Sequence, residues 1–468
     1  MRMKYLVGAD IGTTSLKAAV FNEEGVLVKS ATKDYTLKVS GDRVEFCAED
    51  YFKLFLEAYR EITQGLEIAA VAVDTQCETL ILTDEDGNPL CDAVVWLDNR
   101  ARNEAETIKA NFGNKLVYDV TGQPEITATW PAAKLLWFKE NSPEVFNKIK
   151  KVFLLEDWII YKMTGKFVTE KTLQSSSLYF DINIGDWWDE MLGFIGIDRA
   201  VLPEICDSAV AVGEFEGAKV VTCAMDQIAG AIGAGVFGED TVSEMTGTTM
   251  AIFAPTSSKP EYNPESIIPC HYNYDGKFCL LAWTSTAGIA LKWFKNNFCE
   301  SFGFRELDEL AEKVKPGCDG LSFLPYLCGS TMPKYDPDAK GAFIGLTMEH
   351  TRAHAVRAIL ESVACMLKEN LDYMNISCRQ IRSMGGGATS PLWCTIKADM
   401  TGKEIATLKN KETACLGSAI LAGVGAGVFD SVEKACEKTV ALDKVYKPTG
   451  TDYSECYKNF IIAEGKIL

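Results

Sequence analysis

Short apolar runs of strand length alternate with longer helix-like segments along most of the chain. This alternation predicts an α/β protein with interleaved strands and helices. The predicted strands are residues 4–9, 16–21, 26–29, 68–73, 93–96, 220–225, 241–246, 250–254 and 380–384. The predicted helices are residues 48–64, 131–140, 142–151, 155–164, 227–237, 353–373 and 391–400, with 284–298 beginning as a loop of small residues. Residues 173–184 are interpreted as a polar strand or loop, and 326–346 as an ordered loop.

Two hairpins of the same kind lie half a chain apart. Strand 4–9 continues into Asp10 and a Gly12-Thr13-Thr14 turn, and the same turn recurs as Gly247-Thr248-Thr249, an offset of 235 residues in 468. A repeat at this spacing predicts two similar halves that each present a strand-turn-strand unit to a shared cleft. The backbone N–H groups and hydroxyls of such a turn can bind an anion.

Asp226 lies at a predicted junction between a strand and a helix. Residues 220–225 form an apolar run before it, and an uncharged segment rich in alanine and glycine follows it. Considered alone, an Asp at this position is more often a helix cap than a catalytic group.

Polar residues also follow two other predicted strands. Residues 74–79 follow strand 68–73, and residues 97–100 follow strand 93–96. Ligands of open α/β sheets bind beyond the carboxyl ends of strands, so these clusters suggest a small polar substrate, although hydrogen-bonded loops would explain them equally well. The Gly385-Gly386-Gly387 turn would let the backbone approach a ligand closely, or would be a plain flexible turn. Neither standard glycine-rich nucleotide motif is present.

Composition narrows the possible partners and compartments. The chain has 468 residues, enough for about two to three domains, and carries 47 basic and 65 acidic residues, a net charge of −18. We therefore expect neither a nucleic acid nor an anionic membrane as a partner. The 16 cysteines lack a CxxC pair, which favours free thiols, and only three histidines are available for a triad or metal site. Asp10 interrupts the N-terminal apolar run before signal-peptide length, so a cytoplasmic protein is expected.

Several segments together resemble the FGGY family of carbohydrate kinases. The resemblance runs almost end to end, and its segments are Asp10-Ile-Gly-Thr-Thr-Ser-Leu-Lys17, Asp226-Gln-Ile-Ala-Gly-Ala, Thr246-Gly-Thr-Thr249, Gly341-Ala-Phe-Ile-Gly345 and Gly385-Gly-Gly-Ala388. It implies two actin-like, ribonuclease H-like domains with ATP and sugar in the cleft between them. Residues 1–240 would be the sugar-binding domain with the catalytic base, and residues 241–468 the nucleotide-binding domain. A homodimer and a hinge near residues 237–241 are also expected.

The resemblance assigns roles to individual residues. Asp10 would hold Mg²⁺ through its water shell, and Asp226 would accept the proton of the attacking sugar hydroxyl, which overrides the interpretation as a helix cap. The ATP-binding residues would be Gly12, Thr13, Thr14, Lys17, Gly247, Thr248, Thr249, Gly288, Gly386 and Gly387. The substrate-binding residues would be Gln76, Glu78, Trp96, Asp98, Asp226 and Gln227.

The substrate prediction rests on differences within the family. The region 96–100 is most similar to xylulokinases, which usually carry Met-His where this chain has Gln76-Cys77. Residues 76–79 and Asp226-Gln227 are similar to glycerol kinases, but Cys77 replaces their arginine. We expect ATP-dependent phosphorylation of a small sugar or polyol, foremost a ketopentose such as xylulose. The alternatives are a glycerol or tetritol kinase, and an actin-like ATPase without sugar kinase activity.

Overall fold

Two mixed β-sheets, one in each half of the chain, form the frame of the protein. The computed structural model describes residues 4–466, so the first three and last two residues of the expected domains lie outside the described part. The strands are β1 (Tyr5–Ile11), β2 (Ser15–Asn22), β3 (Leu27–Asp34), β4 (Lys38–Ser40), β5 (Arg43–Phe46), β6 (Ile68–Thr75), β7 (Leu80–Thr83), β8 (Ala93–Val94), β9 (Lys151–Leu154), β10 (Val168–Glu170), β11 (Phe180–Asp181), β12 (Asp186–Trp187), β13 (Glu204–Cys206), β14 (Ala211–Phe215), β15 (Ala218–Val221), β16 (Thr241–Thr246), β17 (Met250–Thr256), β18 (Cys270–Tyr272), β19 (Phe278–Thr284), β20 (Ser322–Leu324), β21 (Ala342–Ile344), β22 (Gln380–Met384), β23 (Glu404–Leu408) and β24 (Leu442–Tyr446).

Helices are distributed through both halves. The α-helices are α1 (Ala48–Thr63), α2 (Arg102–Thr121), α3 (Pro131–Asn141), α4 (Pro143–Phe146), α5 (Leu155–Thr164), α6 (Lys171–Gln174), α7 (Asp189–Ile195), α8 (Asp226–Gly233), α9 (Gly288–Phe298), α10 (Phe304–Ala311), α11 (Arg352–Met374), α12 (Pro391–Thr401), α13 (Thr413–Gly425), α14 (Val432–Thr439) and α15 (Ser454–Glu464). Within residues 4–466, none of these helices has both the length and the apolar character that a membrane span needs.

The two sheets share the arrangement of their central strands. The first has the strand order β14-β15-β6-β1-β2-β3, and the second has the order β18-β19-β17-β16-β22-β23-β24. In the first sheet, β1 pairs antiparallel with β2 and parallel with β6. In the second, β16 pairs in the same way with β17 and β22. The repeated turns at residues 12 and 247 therefore join equivalent strand pairs, which confirms the predicted duplication.

Hydrophobic side chains cover both faces of the first sheet. Val7, Ala9 and Ile11 of β1 pack on one face in a cluster that includes Tyr51 and Phe55 of α1. The opposite face belongs to a larger cluster that continues into the C-terminal half and includes α8 and α13. Because β1 and β6 are buried on both sides, their sequences are nearly continuous apolar runs, as is typical of such strands.

The N-terminal half also contains a smaller, five-stranded sheet with the order β4-β5-β8-β7-β9. It fixes the connection from β6 to β7, which contains residues 76–79, beside the residues that follow β8. The two predicted polar clusters are thus held by paired strands on the same side of the molecule.

All 16 cysteines are free thiols.

Two predicted helices differ from the structure. The helix predicted over residues 142–151 is wrong beyond α4, because residues 151–154 form β9 and pair antiparallel with β7. The helix predicted over 227–237 ends at Gly233, and Gly235 takes a left-handed backbone conformation with φ of 74°. In both places the helix ends because the chain then packs against a distant segment: residues 151–154 pair with β7, and Gly235 lies against Val440.

Candidate active site

Two carboxylates lie side by side where β1 and β6 approach their carboxyl ends. Asp10 and Asp74 are register partners on these parallel strands. Asp74 is fully buried and accepts a hydrogen bond from the Ser418 hydroxyl, while its Oδ1 has no partner among the described residues. Burial, reinforced by the nearby Asp226 carboxylate, raises the pKa of Asp10 to about 7. Clustered carboxylates of this kind destabilise one another as anions and favour a nearby cation.

The donor set at Asp10 fits Mg²⁺ held through water. Among residues 4–466, no group of three or more His, Cys, Asp or Glu side chains is arranged to enclose a metal ion. Mg²⁺ commonly keeps several waters and uses only one or two carboxylates together with substrate phosphates. The unpaired oxygen of Asp74 and the raised pKa of Asp10 provide that type of site.

Asp226 is the first residue of α8 and lies next to the Asp10–Asp74 pair. These three carboxylates are called the acidic centre below. Its Oδ1 accepts from the backbone N–H of Gln227 at 2.6 Å and lies 3.7 Å from Cys77 Sγ. The side chain does not cap α8, whose N-cap residue is Met225. Burial, followed by the charge of Glu78, raises the pKa of Asp226 to about 6. This carboxylate is therefore mostly ionised at neutral pH yet more basic than an ordinary Asp, which suits a general base.

The first turn is anchored by aromatic side chains. Trp96 Nε1 donates to Thr13 Oγ1 at 3.0 Å, and the Tyr35 hydroxyl donates to the carbonyl of Gly12. The side chain of Thr14 remains exposed. Lys17, on β2, forms an ion pair of 2.9 Å with Glu412 next to the start of α13. Hydrogen bonds from Trp96 and Tyr35 thus hold the first turn in place. The ion pair of Lys17 with Glu412 links the two halves of the chain.

The second turn is held by the start of α9. Gly288 donates its N–H to the Gly247 carbonyl at 2.9 Å, and the N–H of Ala287 donates to the Thr248 carbonyl at 3.1 Å. Thr248 and Thr249 are exposed residues. The turn at residues 386–389 contacts β16 directly before this point. The structure therefore brings the C-terminal members of the predicted ATP-binding set together, whereas among residues 4–466 no hydrogen bond joins them to the first turn.

A buried ion pair that was not predicted supports the second turn. Lys397 of α12 contacts Glu244 at 2.6 Å, and both side chains are fully buried. Lys397 also donates to Thr246 at 2.8 Å, and the Ser383 hydroxyl donates to Glu244. Breaking a buried pair of this kind is strongly destabilising because it leaves one charge uncompensated. In the sequence, the position of Lys397 between the apolar residues Ile396 and Ala398 was the signal that could have indicated a buried lysine.

Residues 76–79 line the side of the acidic centre. Gln76 is buried and donates to the Tyr51 hydroxyl at 2.9 Å, while its Oε1 has no partner among residues 4–466. Burial raises the pKa of Glu78, and Lys134 opposes that shift. Lys134 is fully buried and donates to the carbonyls of Glu78 at 3.3 Å and Val95 at 3.0 Å, so it joins residues 76–79 to the strand that precedes the second polar cluster. Burial lowers the pKa of Lys134 to about 7.

Asp98 occupies a more structural position than the other predicted substrate residues. It is fully buried and accepts from the N–H of Val44 at 2.6 Å and from Arg100 Nε at 2.8 Å. Arg100 also pairs with Glu45. A substrate hydroxyl could bind Asp98 only by displacing one of these partners. Gln227 is partly exposed at the start of α8, next to Asp226.

Comparison with protein families matches most of the chain. Residues 5–233 match the model for the N-terminal domain of the FGGY family of carbohydrate kinases, and residues 244–426 match the model for the C-terminal domain. The unmatched segment between them contains the turn that precedes β16.

Individual relatives have different named activities. The chain is 28% identical to a xylulose kinase from Bacillus subtilis, covering 95% of this chain and 93% of the relative. It is also 28% identical to a gluconokinase from Bacillus licheniformis, with coverage of 92% and 89%. Among solved structures, a ligand-bound xylulose kinase from Lactobacillus acidophilus gives a TM-score of 0.93 at 25% identity, covering 99% and 97% of the two chains. Glycerol kinase of Plasmodium falciparum with ADP gives 0.90 at 25% identity, covering 100% and 98%.

Proposed function

The chain belongs to the FGGY family of carbohydrate kinases, and we propose that it transfers the γ-phosphoryl group of ATP to a hydroxyl of a ketopentose such as xylulose. Members of this family are enzymes that phosphorylate sugars. The observation that carries the proposal is the position of Asp226. This half-buried carboxylate lies at the start of α8, 3.7 Å from the strand-end cluster at Cys77 and within electrostatic range of Asp10.

The proposed chemistry needs alignment and charge stabilisation more than covalent participation. In phosphoryl transfer the attacking oxygen loses its proton late, so a carboxylate near pH 7 suffices as the base. Asp226 would take that proton while residues 76–79 orient the sugar. The hydroxyls and N–H groups of the two Gly-Thr-Thr turns would hold the ATP phosphates. Mg²⁺, held through water at Asp10, would supply charge neutralisation when bound.

The charges around Asp226 favour a neutral substrate. Glu78 acts electrostatically on Asp226, Asp10 and Asp226 act on Asp74, and Arg100 is already engaged by Asp98 and Glu45. A substrate carboxylate would meet mostly like charge there, which disfavours gluconate although a gluconokinase is as similar in sequence as the xylulose kinase.

The free thiols of the chain support a cytoplasmic location for the reaction.

A glycerol or tetritol kinase is the second candidate. It is favoured by the juxtaposition of Gln76, Cys77 and Asp226, because a short polyol could bind the unpaired Gln76 Oε1. A neutral thiol offers no charged donors, however, so a pose that needs a guanidinium at position 77 would lose hydrogen bonds of about 1.5–3 kcal/mol each.

The substrate prediction can be tested by sugar-dependent ADP release with Mg²⁺ and ATP. We expect xylulose to give the highest kcat/KM in a panel of xylulose, ribulose, ketohexoses, gluconate, pentitols, tetritols and glycerol. A tenfold lead over glycerol corresponds to about 1.4 kcal/mol of differential transition-state binding. A no-sugar blank and the Asp226→Asn variant set the baseline. A leading tetritol or glycerol would establish the second candidate, and a high blank without a sugar response would contradict the kinase assignment.

The pH dependence follows from the environment of Asp226. Because burial raises the pKa of this carboxyl to about 6 and only its ionised form accepts a proton, activity should be lost as the pH falls through that value. We expect kcat/KM for the sugar, at saturating Mg²⁺ and ATP, to rise about tenfold per pH unit below the pKa and to level off above it. Affinity for MgATP over the same range serves as the control. A profile that stays flat down to pH 5 would rule out this base.

A further inference from the structure

An open cavity of about 560 Å³ lies away from the candidate active site. It is bordered by residues 235–241, by Arg379 just before β22, by Arg382 within β22, and by Glu437 of α14. The Gly-Thr-Thr turn and the glycine-rich turn follow the carboxyl ends of β16 and β22, whereas this cavity lies at their amino ends. It therefore lies on the connection between the two regions that match the family models.

The guanidinium of Arg382 lacks a protein partner in this cavity. Its Nε and Nη1 atoms are shielded from solvent and form no hydrogen bond within residues 4–466. Burial and the positive charge of Arg379 lower the pKa of Arg382. Arg382 as a whole is half-buried, but shielded charged donors without an acceptor are costly, and native proteins seldom leave them unsatisfied. Because Nε and Nη1 have almost no exposed surface, an anion that enters the cavity would first meet the part of the Arg382 side chain that lines it, and would satisfy these two donors after a small shift of that side chain.

The acidic residues at the cavity differ in whether their carboxylates already accept a hydrogen bond from the protein. Glu239 accepts from the N–H of Ser257 at 2.6 Å, and this bond lowers the pKa of Glu239. Asp240 and Glu437 are exposed, and their side chains accept no hydrogen bond from the described residues. The cavity thus has two neighbouring cationic donors on one side and two available carboxylate acceptors near its rim.

We propose that this cavity binds a small phosphate monoester that also carries hydroxyl groups. A phosphate ester with nearly two negative charges can neutralise both arginines, and the guanidinium fork matches phosphate oxygens. A single carboxylate would neutralise only one. The hydroxyls of the ligand would donate to Asp240 and Glu437. Such a ligand would tie residues 235–241 to β22 and α14, so its binding would stiffen the connection between the two halves.

This site can be tested without any turnover step, so the result does not depend on the proposed reaction. Hydrogen–deuterium exchange and thermal unfolding are followed with ribose 5-phosphate, inorganic phosphate or ribose. We expect ribose 5-phosphate to slow exchange in residues 236–241 and 432–440 and to raise the apparent Tm by about 2 °C. Inorganic phosphate should protect less, and ribose should not protect these segments.

Variants identify the residues responsible. The double variant Arg379→Gln, Arg382→Met should lose the protection by ribose 5-phosphate and, without ligand, should unfold at a Tm equal to or above that of the native protein. Arg305→Gln is the matched control, because this arginine is 91% exposed and paired with Glu309 on the same helix. Protection that survives in the double variant, or that occurs only at residues 246–249 and 385–389, would overturn the proposal. Equal protection by inorganic phosphate would overturn the proposed hydroxyl recognition.

Discussion

Asp226→Asn should lower sugar-dependent turnover by about 10²–10⁴-fold, the usual contribution of a general base. The amide has the same shape but cannot accept the proton of the attacking hydroxyl. MgATP affinity should stay the same or improve, because the substitution removes a negative charge that acts on Asp10. The measurement is the initial rate of ADP formation with saturating sugar, together with a separate MgATP binding titration.

Asp189→Asn is the matched control for this experiment. Asp189 is the first residue of α7, as Asp226 is of α8, but its side chain is 72% exposed and pairs with Arg199. Both variants lose one charge at a helix start, so any general effect on helix stability should be shared. Asp189→Asn should therefore retain nearly native turnover. More than a tenth of native turnover in Asp226→Asn would contradict the role of Asp226 as the base.

Gly417→Ala should cost about 3 kcal/mol or more in the free energy of unfolding. Helices α8 and α13 cross so closely that a Cβ atom at Gly417 would lie 1.8 Å from the carbonyl oxygen of Ala229. The obstacle is backbone, so the two helices would have to separate, and overpacking of this kind costs about 1–3 kcal/mol or occasionally more. The unfolding midpoint and slope in urea would measure the effect.

The same substitution should also reduce activity in the folded fraction. Ser418, the next residue of α13, donates to Asp74, and α8 carries Asp226. Separating the helices would therefore disturb both sides of the acidic centre. Gly230→Ala is the control, since a Cβ at this position of α8 meets no atom within 4 Å. It should stabilise the protein by about 0.5–1 kcal/mol. Equal midpoints for the two variants would show that the close crossing is not rigid.

Local patterns were sufficient where neighbouring residues decide the conformation. The two Gly-Thr-Thr turns were predictable because each joins adjacent strands that pair with one another through a tight turn. The position of Asp226 between a buried run and a helix was also predictable, although α8 ends earlier than expected. The helix predicted over residues 142–151 failed because β9 is stabilised by pairing with β7, a contact that residues 151–154 alone do not encode.

The candidate site was predictable in its residue types but not in its contacts. The side chain of Asp98 resembles an available acceptor in the sequence, yet Val44 and Arg100 occupy it in the structure. The pairing of Lys397 with Glu244 joins positions 153 residues apart. Neither relation has a local signal, because both depend on which strands and helices become neighbours.

The amino-acid sequence by itself determined the α/β class and the duplication, because strand and helix periods and turn residues act over short distances. The resemblance of its motifs indicated the family, and the roles of the individual site residues stay predictions. Only the tertiary structure decided which carboxylates share the acidic centre, how closely α8 and α13 cross, and that Arg382 faces a cavity without a partner. Burial, pKa and close packing depend on neighbours brought together from distant parts of the chain. The Asp10–Asp74 pair forms within the first sheet, whereas the close crossing of α8 and α13 needs both halves of the chain.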